Sequence, residues 1–180
     1  NIYRSLVTYS TGPSTVTLGT ALAMPIGGTP AQLDVGDFNE DGFDDIAVTL
    51  MGSGDLNVLF GDGLGEGGFL PVVNADRFLT LSIGTSAADQ TPRDVKVGDL
   101  NGDGHADIAV SVQGLDAIAI FSGDGKGAFT GPRLISTGAG SGPTRLALGR
   151  LNGDKLDDLA VVGATSRKVI VLLSDPLTIP

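Results

Sequence analysis

Residues 92–110 read PRDVKVGDLNGDGHADIAV, and two other stretches of the chain repeat this pattern. Residues 30–48 read PAQLDVGDFNEDGFDDIAV, and residues 143–161 read PTRLALGRLNGDKLDDLAV. In each copy a Pro stands seven residues before a polar loop begins, and an Asp stands eight residues after that beginning. Because self-similarity of this kind is the mark of a repeat architecture, the sequence predicts three equivalent structural units.

Each copy predicts a β-hairpin followed by further strands. Apolar residues alternate with polar ones before the loop, as at Leu33 and Val35, and a short apolar run follows it. Third strands are predicted at Leu56–Phe60, Ala117–Phe121 and Lys168–Leu173, and Gly-rich turns lead to Phe69 and Phe129 and to fourth strands. Four antiparallel strands are one blade of a β-propeller, so the predicted fold class is all-β.

The repeats divide the chain into blades but do not close a ring. We expect one propeller segment over residues 1–180, made of the end of a preceding blade (1–29), two blades (30–91 and 92–142) and an incomplete third (143–180). Propellers usually have about four to eight blades, and an open stack leaves an apolar face at each end. We therefore expect either part of a longer chain or a homo-oligomer in which residues 1–29 complete a neighbour's third blade. The stretch 74–91 is longer than its counterpart and is interpreted as a loop, for binding or as a linker.

Composition excludes several classes of site and partner. The formal charge of −10 argues against nucleic acid and anionic membranes as partners. With no Cys and a single His, disulfides, thiolate sites and multi-His zinc sites are excluded, and no apolar run is long enough to span a membrane. The chain starts at Asn1 without an initiator Met or a signal peptide, which we interpret as a processed product or an excised fragment.

Oxygen-bearing residues recur at alternate positions of the first two loops. They stand at positions 1, 3, 5 and 9, with Gly at position 6 and a backbone carbonyl at position 7. Alternate oxygens around a tight Gly turn surround Ca²⁺ with six or seven hard ligands, so we predict two structural calcium sites. The predicted ligands are Asp37, Asn39, Asp41, the Phe43 carbonyl and Asp45 in the first loop, and Asp99, Asn101, Asp103, the His105 carbonyl and Asp107 in the second.

These two loops differ from an EF-hand, because position 12 is Val48 or Val110 and not Glu.

The third loop departs from the ligand pattern of the first two. Arg150 replaces the first Asp and Lys155 replaces the Gly, while Asn152, Asp154 and Asp158 remain. Two cations disfavour Ca²⁺, so we predict that the third loop holds no metal and that its own cations neutralise its carboxylates.

The three repeats resemble the FG-GAP/VCBS repeats of integrin α-subunit propellers and of many secreted bacterial proteins. The resemblance covers residues 30–180 and rests on the D-x-N-x-D-G-x-x-D spacing with its flanking Val-Gly-Asp and Asp-Ile-Ala-Val. It implies a propeller whose loops between the first and second strands hold Ca²⁺ on one rim. It also implies extracellular or cell-surface adhesion, ligand binding or scaffolding.

Three functions from different classes stay open. The favoured one is a calcium-stabilised interaction or adhesion module of a secreted or cell-surface protein, whose protein or glycan ligand the sequence does not identify. A lectin-like carbohydrate binder is the second, disfavoured because the chain has no Trp and only two Tyr. The third is a non-catalytic scaffold part of a larger secreted enzyme or toxin. No catalytic residues are predicted, since His105 has no Ser or Cys nucleophile pattern near it.

Overall fold

A computed structural model describes residues 26–61, 78–84 and 91–174, and eleven β-strands lie within these ranges. They form three antiparallel sheets, each with its strands in chain order. Sheet one contains β1 (Thr29–Gly36), β2 (Asp45–Met51), β3 (Asp55–Leu59) and β4 (Phe78–Ser82). Sheet two contains β5 (Pro92–Gly98), β6 (Asp107–Val112), β7 (Ala117–Gly123) and β8 (Phe129–Ser136). Sheet three contains β9 (Pro143–Gly149), β10 (Asp158–Gly163) and β11 (Lys168–Leu172).

The prediction of an all-β chain built from propeller-like blades is confirmed, although the blades do not close a ring. No α-helix occurs in the described ranges, where a single 3₁₀ turn (Gln113–Leu115) joins β6 to β7. Within those same ranges, no helix has the length and apolar character needed to cross a membrane.

The three hairpins share one strand register. Leu33 lies opposite Val48 in sheet one, Val95 lies opposite Val110 in sheet two, and Leu146 lies opposite Val161 in sheet three. Since side chains alternate across a strand, the same register places equivalent apolar residues on the same face of every sheet.

The fourth strand of sheet one differs from the prediction. β4 lies inside the stretch 74–91 that the sequence assigned to a loop, and it pairs with β3, with Leu81 opposite Leu56. The reason is visible in its own sequence, FLTLS, which alternates apolar and polar residues and therefore suits a strand with one buried face. The fourth strand of sheet one was expected to begin at Phe69, which lies outside the described residues. Residues 1–25 of the expected preceding blade also lie outside them.

Neighbouring sheets pack through their first strands. The Asp34 carboxylate on β1 accepts the Val97 N–H of β5 at 3.0 Å, and the Asp94 carboxylate on β5 accepts the Leu146 N–H of β9 at 2.8 Å. Each of these buried or half-buried bonds joins a side-chain carboxylate of one sheet to a backbone N–H of the next.

Each junction between sheets has its own hydrophobic core. Between sheets one and two the core contains Phe38, Val95 and Phe121, and the Phe38 ring meets the Phe129 ring edge to face at 5.4 Å. Between sheets two and three the core is aliphatic, with Leu100, Ala109, Ile118, Leu146, Leu159 and Val161. The stack is thus stabilised mainly by contacts between nearest neighbours, as in other repeat proteins.

Candidate metal centre

All ten predicted ligands lie at the same end of their sheets. The first loop connects β1 to β2 and the second connects β5 to β6, while the third, divergent loop connects β9 to β10. In each case the position-nine Asp is the first residue of the following strand. The repeat therefore carries each loop on a rigid hairpin.

In the first loop the oxygens of positions 1, 3 and 5 gather around one short stretch of backbone. The N–H of Asp41 is shared by the Asp37 Oδ1 and Asn39 Oδ1 atoms, at 3.2 and 3.1 Å. Gly42 donates its N–H to Asp37 Oδ2 at 2.9 Å, and Phe43 donates to Asp41 Oδ1 at 3.0 Å. The side chains at these alternate positions thus fold back onto the backbone of their own loop.

The second loop repeats this arrangement. Asp99 accepts the N–H groups of Gly102 and Gly104, at 2.6 and 3.0 Å. Asn101 Oδ1 accepts the Asp103 N–H at 2.8 Å, and Asp103 Oδ1 accepts the His105 N–H at 2.8 Å. The carboxylates of Asp41 and Asp103 are exposed at the loop surface and are accessible to an ion.

Glycine at position 6 is needed for backbone conformation. Gly42 has φ of 89° and Gly104 has φ of 88°, a left-handed conformation that residues with a Cβ rarely adopt. A Cβ added at either glycine would meet no heavy atom within 4 Å, so space is not the constraint.

The position-nine aspartates have a role that sequence reasoning missed. Asp45 is fully buried, and its two oxygens accept the N–H groups of Phe38 and Gly61 at 2.8 and 2.7 Å. Asp107 accepts the Leu100 and Gly123 N–H groups in the same way, each at 3.0 Å. This carboxylate therefore ties the beginning of its loop to the backbone just after or at the end of the third strand.

The third loop keeps the same tie without the full set of acids. The buried Asp158 carboxylate accepts the Leu151 N–H at 2.7 Å and the Ser174 N–H at 2.9 Å. Asn152 and Asp154 also make the hydrogen bonds of their equivalents in the other loops. The sequence did contain a signal for the structural role of the position-nine Asp. Asn152, Asp154 and Asp158 are kept in the third loop, although the charges of that loop no longer suit a metal.

Burial and repulsion act on the position-nine carboxylates. The pKa of Asp107 is raised to about 6, mainly by burial and in smaller part by the nearby Asp103 and Asp99 carboxylates, against the lowering effect of its two N–H donors. The pKa of Asp45 is raised for the same reasons, with Asp41 and Asp37 as the repelling charges. A cation in either loop would offset these costs.

The donor sets of the first two loops fit a hard cation. No three carboxylate or imidazole side chains are grouped closely enough to form a metal cage alone among the described residues. Each loop instead combines carboxylates with an amide oxygen and a backbone carbonyl, all of them oxygen donors of the kind that Ca²⁺ prefers. The position-nine carboxylate uses one backbone N–H per oxygen, and an ionised carboxylate has about four lone-pair sites, so acceptor capacity remains.

In the third loop one of the two cations lies near a carboxylate of the same loop. The ion pair found there joins Arg150 Nε to Asp157 Oδ1 at 4.0 Å, and the Arg150 side chain is largely exposed. Exposed pairs of this length contribute little to stability. The expected absence of metal from this loop remains a prediction.

Lys155 occupies the position-six glycine site with φ of 78°. A residue with a Cβ in this region costs about 1 kcal/mol, so we expect Lys155→Gly to raise the free energy of unfolding by about that amount. Urea denaturation measures the change. Lys155→Ala is the matched control, because it removes the charge and keeps the Cβ, and equal stabilisation by both substitutions would contradict the argument from strain.

The only histidine links the first two loops. His105 Nδ1 lies 2.5 Å from Glu40 Oε1, and this hydrogen bond raises the pKa of His105. The two acidic loops are therefore neighbours on one rim, with Gly125 from the turn after β7 packed against both side chains.

Three antiparallel sheets with acidic loops between their first and second strands define a propeller-like repeat protein. A family model described as the FG-GAP-like repeat matches residues 37–110 and again 99–161, which together span more than half of the chain. The chain belongs to the FG-GAP-like repeat family. Curated proteins provide no match to it.

Proposed function

We propose that this chain is a calcium-stabilised propeller-like module of a secreted or cell-surface protein, and that it mediates protein interaction or adhesion. The observation that supports it best is the duplicated loop, in which side-chain oxygens at positions 1, 3 and 5 all accept N–H groups of the loop's own backbone. The family membership supports a binding module built from blades.

Different positions of the loop would bind the ion and connect the loop to its sheet. Positions 1, 3, 5, 7 and 9 of the first two loops would hold the ion, and its positive charge would offset the repulsion among the carboxylates. The position-nine Asp connects the loop to the end of the third strand, so binding in the loop would stiffen the whole blade. Asp45 makes this connection through Gly61, and Asp107 makes it through Gly123.

The proposed location follows from the exposure of the sites. Asp41 and Asp103 are open to solvent, and open oxygen sites in extracellular modules bind Ca²⁺ with dissociation constants of about 10⁻⁴–10⁻³ M. Such sites are occupied only where calcium is abundant, as it is outside cells.

The groove between sheets two and three does not favour the lectin alternative. Its volume is about 370 Å³, and aliphatic residues such as Ile120, Ile135 and Leu159 line it together with Arg133. None of its described lining residues is aromatic, whereas sugar rings usually stack on exposed aromatic side chains.

Calcium titration tests the proposal directly. We expect isothermal titration calorimetry to give two calcium ions per chain, since two loops carry the full set of ligands. Asp41→Ala and Asp103→Ala should each leave one, because each removes an exposed ligand that makes no contact with the core. Failure to bind calcium at millimolar concentration would overturn the proposal.

An adhesion assay tests the proposed interaction role. We expect cells or matrix proteins to bind the immobilised chain, and we expect this binding to be lost in chelator and in the double variant.

The calcium-free chain should become more stable on acidification. The folded pKa of Asp107, about 6, lies above its ordinary value of 3.8, so the folded state binds the proton more tightly than the unfolded state. Stability should therefore rise by about 1 kcal/mol as the pH falls from 7 to 5 in chelator, because protonation removes the buried charge. In saturating calcium the sign should reverse, since protons compete with the ion.

Chemical denaturation at both pH values, with and without chelator, measures this effect. Asp107→Asn is the control, because it cannot titrate and should lose that part of the pH response. An identical response in the two proteins would show that Asp107 is not its source.

A further inference from the structure

The face of sheet two that meets sheet three has an exposed equivalent at the end of the stack. In sheet two, Ile118 and Leu100 are buried against Leu146, Leu159 and Val161 of sheet three. Ile118 is 0% exposed.

Strand register identifies the equivalents on sheet three. Ile118 lies opposite Ser111, and Val169 lies opposite Val162 at the same place in its own sheet. Leu151 stands at position 2 of its loop, as Leu100 does. Val169 is 72% exposed, and Leu151 and Val171 are also exposed. Sheet three thus carries the same apolar face as sheet two.

Among the described residues, sheet one carries the complementary half of this junction on its first strand. Val95 and Leu146 are the first-strand residues that enter the two internal junctions, and Leu33 is their equivalent on sheet one. Val95 is 0% exposed, whereas Leu33 is 57% exposed and its neighbour on the same face, Val35, is also exposed.

A glycine before each loop shows how closely the sheets fit. A Cβ built at Gly36 would lie 2.6 Å from Val97 of the next sheet, and one at Gly98 would lie 2.8 Å from Leu148. At these two glycines, a side chain of the next sheet's first strand packs directly against the backbone of the preceding first strand. The third glycine of the series, Gly149, has only Leu151 nearby, at 3.9 Å.

We propose that sheet three of one copy packs against sheet one of a second copy, with Val35 of the second copy against Gly149. Val35 is equivalent to Val97 and Leu148, the residues that fill this place at the internal junctions. The chain carries both halves of a junction that it already makes twice, so a second copy would give each face the partner that it has at the internal junctions. The contact is head to tail, so it generates a ring where the rotation closes. It does not depend on calcium.

Sedimentation velocity over a range of protein concentrations tests the proposal. We expect the wild-type chain to associate beyond its 18.2 kDa monomer. Gly149→Val should weaken this association at least tenfold and leave the melting temperature of the monomer unchanged, because the added side chain enters open space. Gly98→Val is the matched contrast and should lower the melting temperature, since its side chain would overlap Leu148.

A mixing experiment distinguishes head-to-tail packing from a symmetric dimer. Val35→Asp removes the sheet-one face and Gly149→Val removes the sheet-three face, so each variant alone should be monomeric. Mixed together they should form a dimer and nothing larger, because each supplies the face that the other lacks. A wild-type chain that stays monomeric at every concentration, with these faces covered by other parts of the same chain, would overturn the proposal. So would association that Gly149→Val does not affect.

Discussion

Removal of calcium is expected to lower the melting temperature of this chain by about 10–20 °C. Calcium at about 10 mM, a hundredfold above a dissociation constant of about 10⁻⁴ M, adds about 2.7 kcal/mol of stability per site, and two sites therefore add about 5 kcal/mol. In a protein of this size each kcal/mol corresponds to about 2–4 °C. The physical cause is the loss of the charge that holds the Asp37 and Asp99 loops against their own carboxylate repulsion. Differential scanning calorimetry with calcium and with chelator measures the shift.

Variants at position 5 of each loop separate the sites. Asp41→Ala and Asp103→Ala should each reduce the calcium-dependent shift by about half, and the double variant should abolish it. Asp154→Ala is the matched control, since it occupies the same position in the loop that carries Arg150 and Lys155. It should keep the full shift. A melting temperature that chelator leaves unchanged, or an equal loss of response in Asp154→Ala, would contradict the structural role of calcium.

Most of the fold could be predicted because the repeat is explicit in the sequence. The alternation at Leu33 and Val35 predicted the first strand, although the apolar face that it forms in sheet one is exposed, and the apolar runs predicted the second strands. β4 was missed because it follows an insertion that has no counterpart in the second repeat, so the comparison of repeats gave no guide to its position. Only the pairing of Leu81 with Leu56 places it.

The site could be predicted only in part. Spacing alone brings Asp37, Asn39 and Asp41 together, because alternate residues of a tight loop point to the same side. The tie made by Asp45 could not be derived, since its partner Gly61 lies sixteen residues away and is brought near by the pairing of β2 with β3. The spacing predicted only that Asp45 is a metal ligand. Its burial and its hydrogen bonds show that its carboxylate also holds two backbone N–H groups.

That second role predicts a loss of stability that calcium does not explain. Asp107→Ala should lower the free energy of unfolding by about 2–6 kcal/mol in chelator, because it leaves the buried Leu100 and Gly123 N–H groups without acceptors, each costing about 1–3 kcal/mol. Asp158→Ala should give a loss of similar size, since its carboxylate accepts the Leu151 and Ser174 N–H groups in a loop expected to hold no metal. Guanidinium denaturation in chelator measures both.

The matched control is Asp103→Ala in the same chelator, because Asp103 is exposed and its hydrogen bonds remain within the loop. Its effect there should be below about 1 kcal/mol, although it removes a calcium ligand. Asp107→Asn should fall between the two, since an amide keeps one acceptor oxygen for two donors. If Asp107→Ala were destabilising only when calcium is present, its carboxylate would act as a ligand alone and the backbone tie would be refuted. A large loss in Asp158→Ala without any calcium response would instead show that the tie holds each blade together whether or not its loop binds an ion.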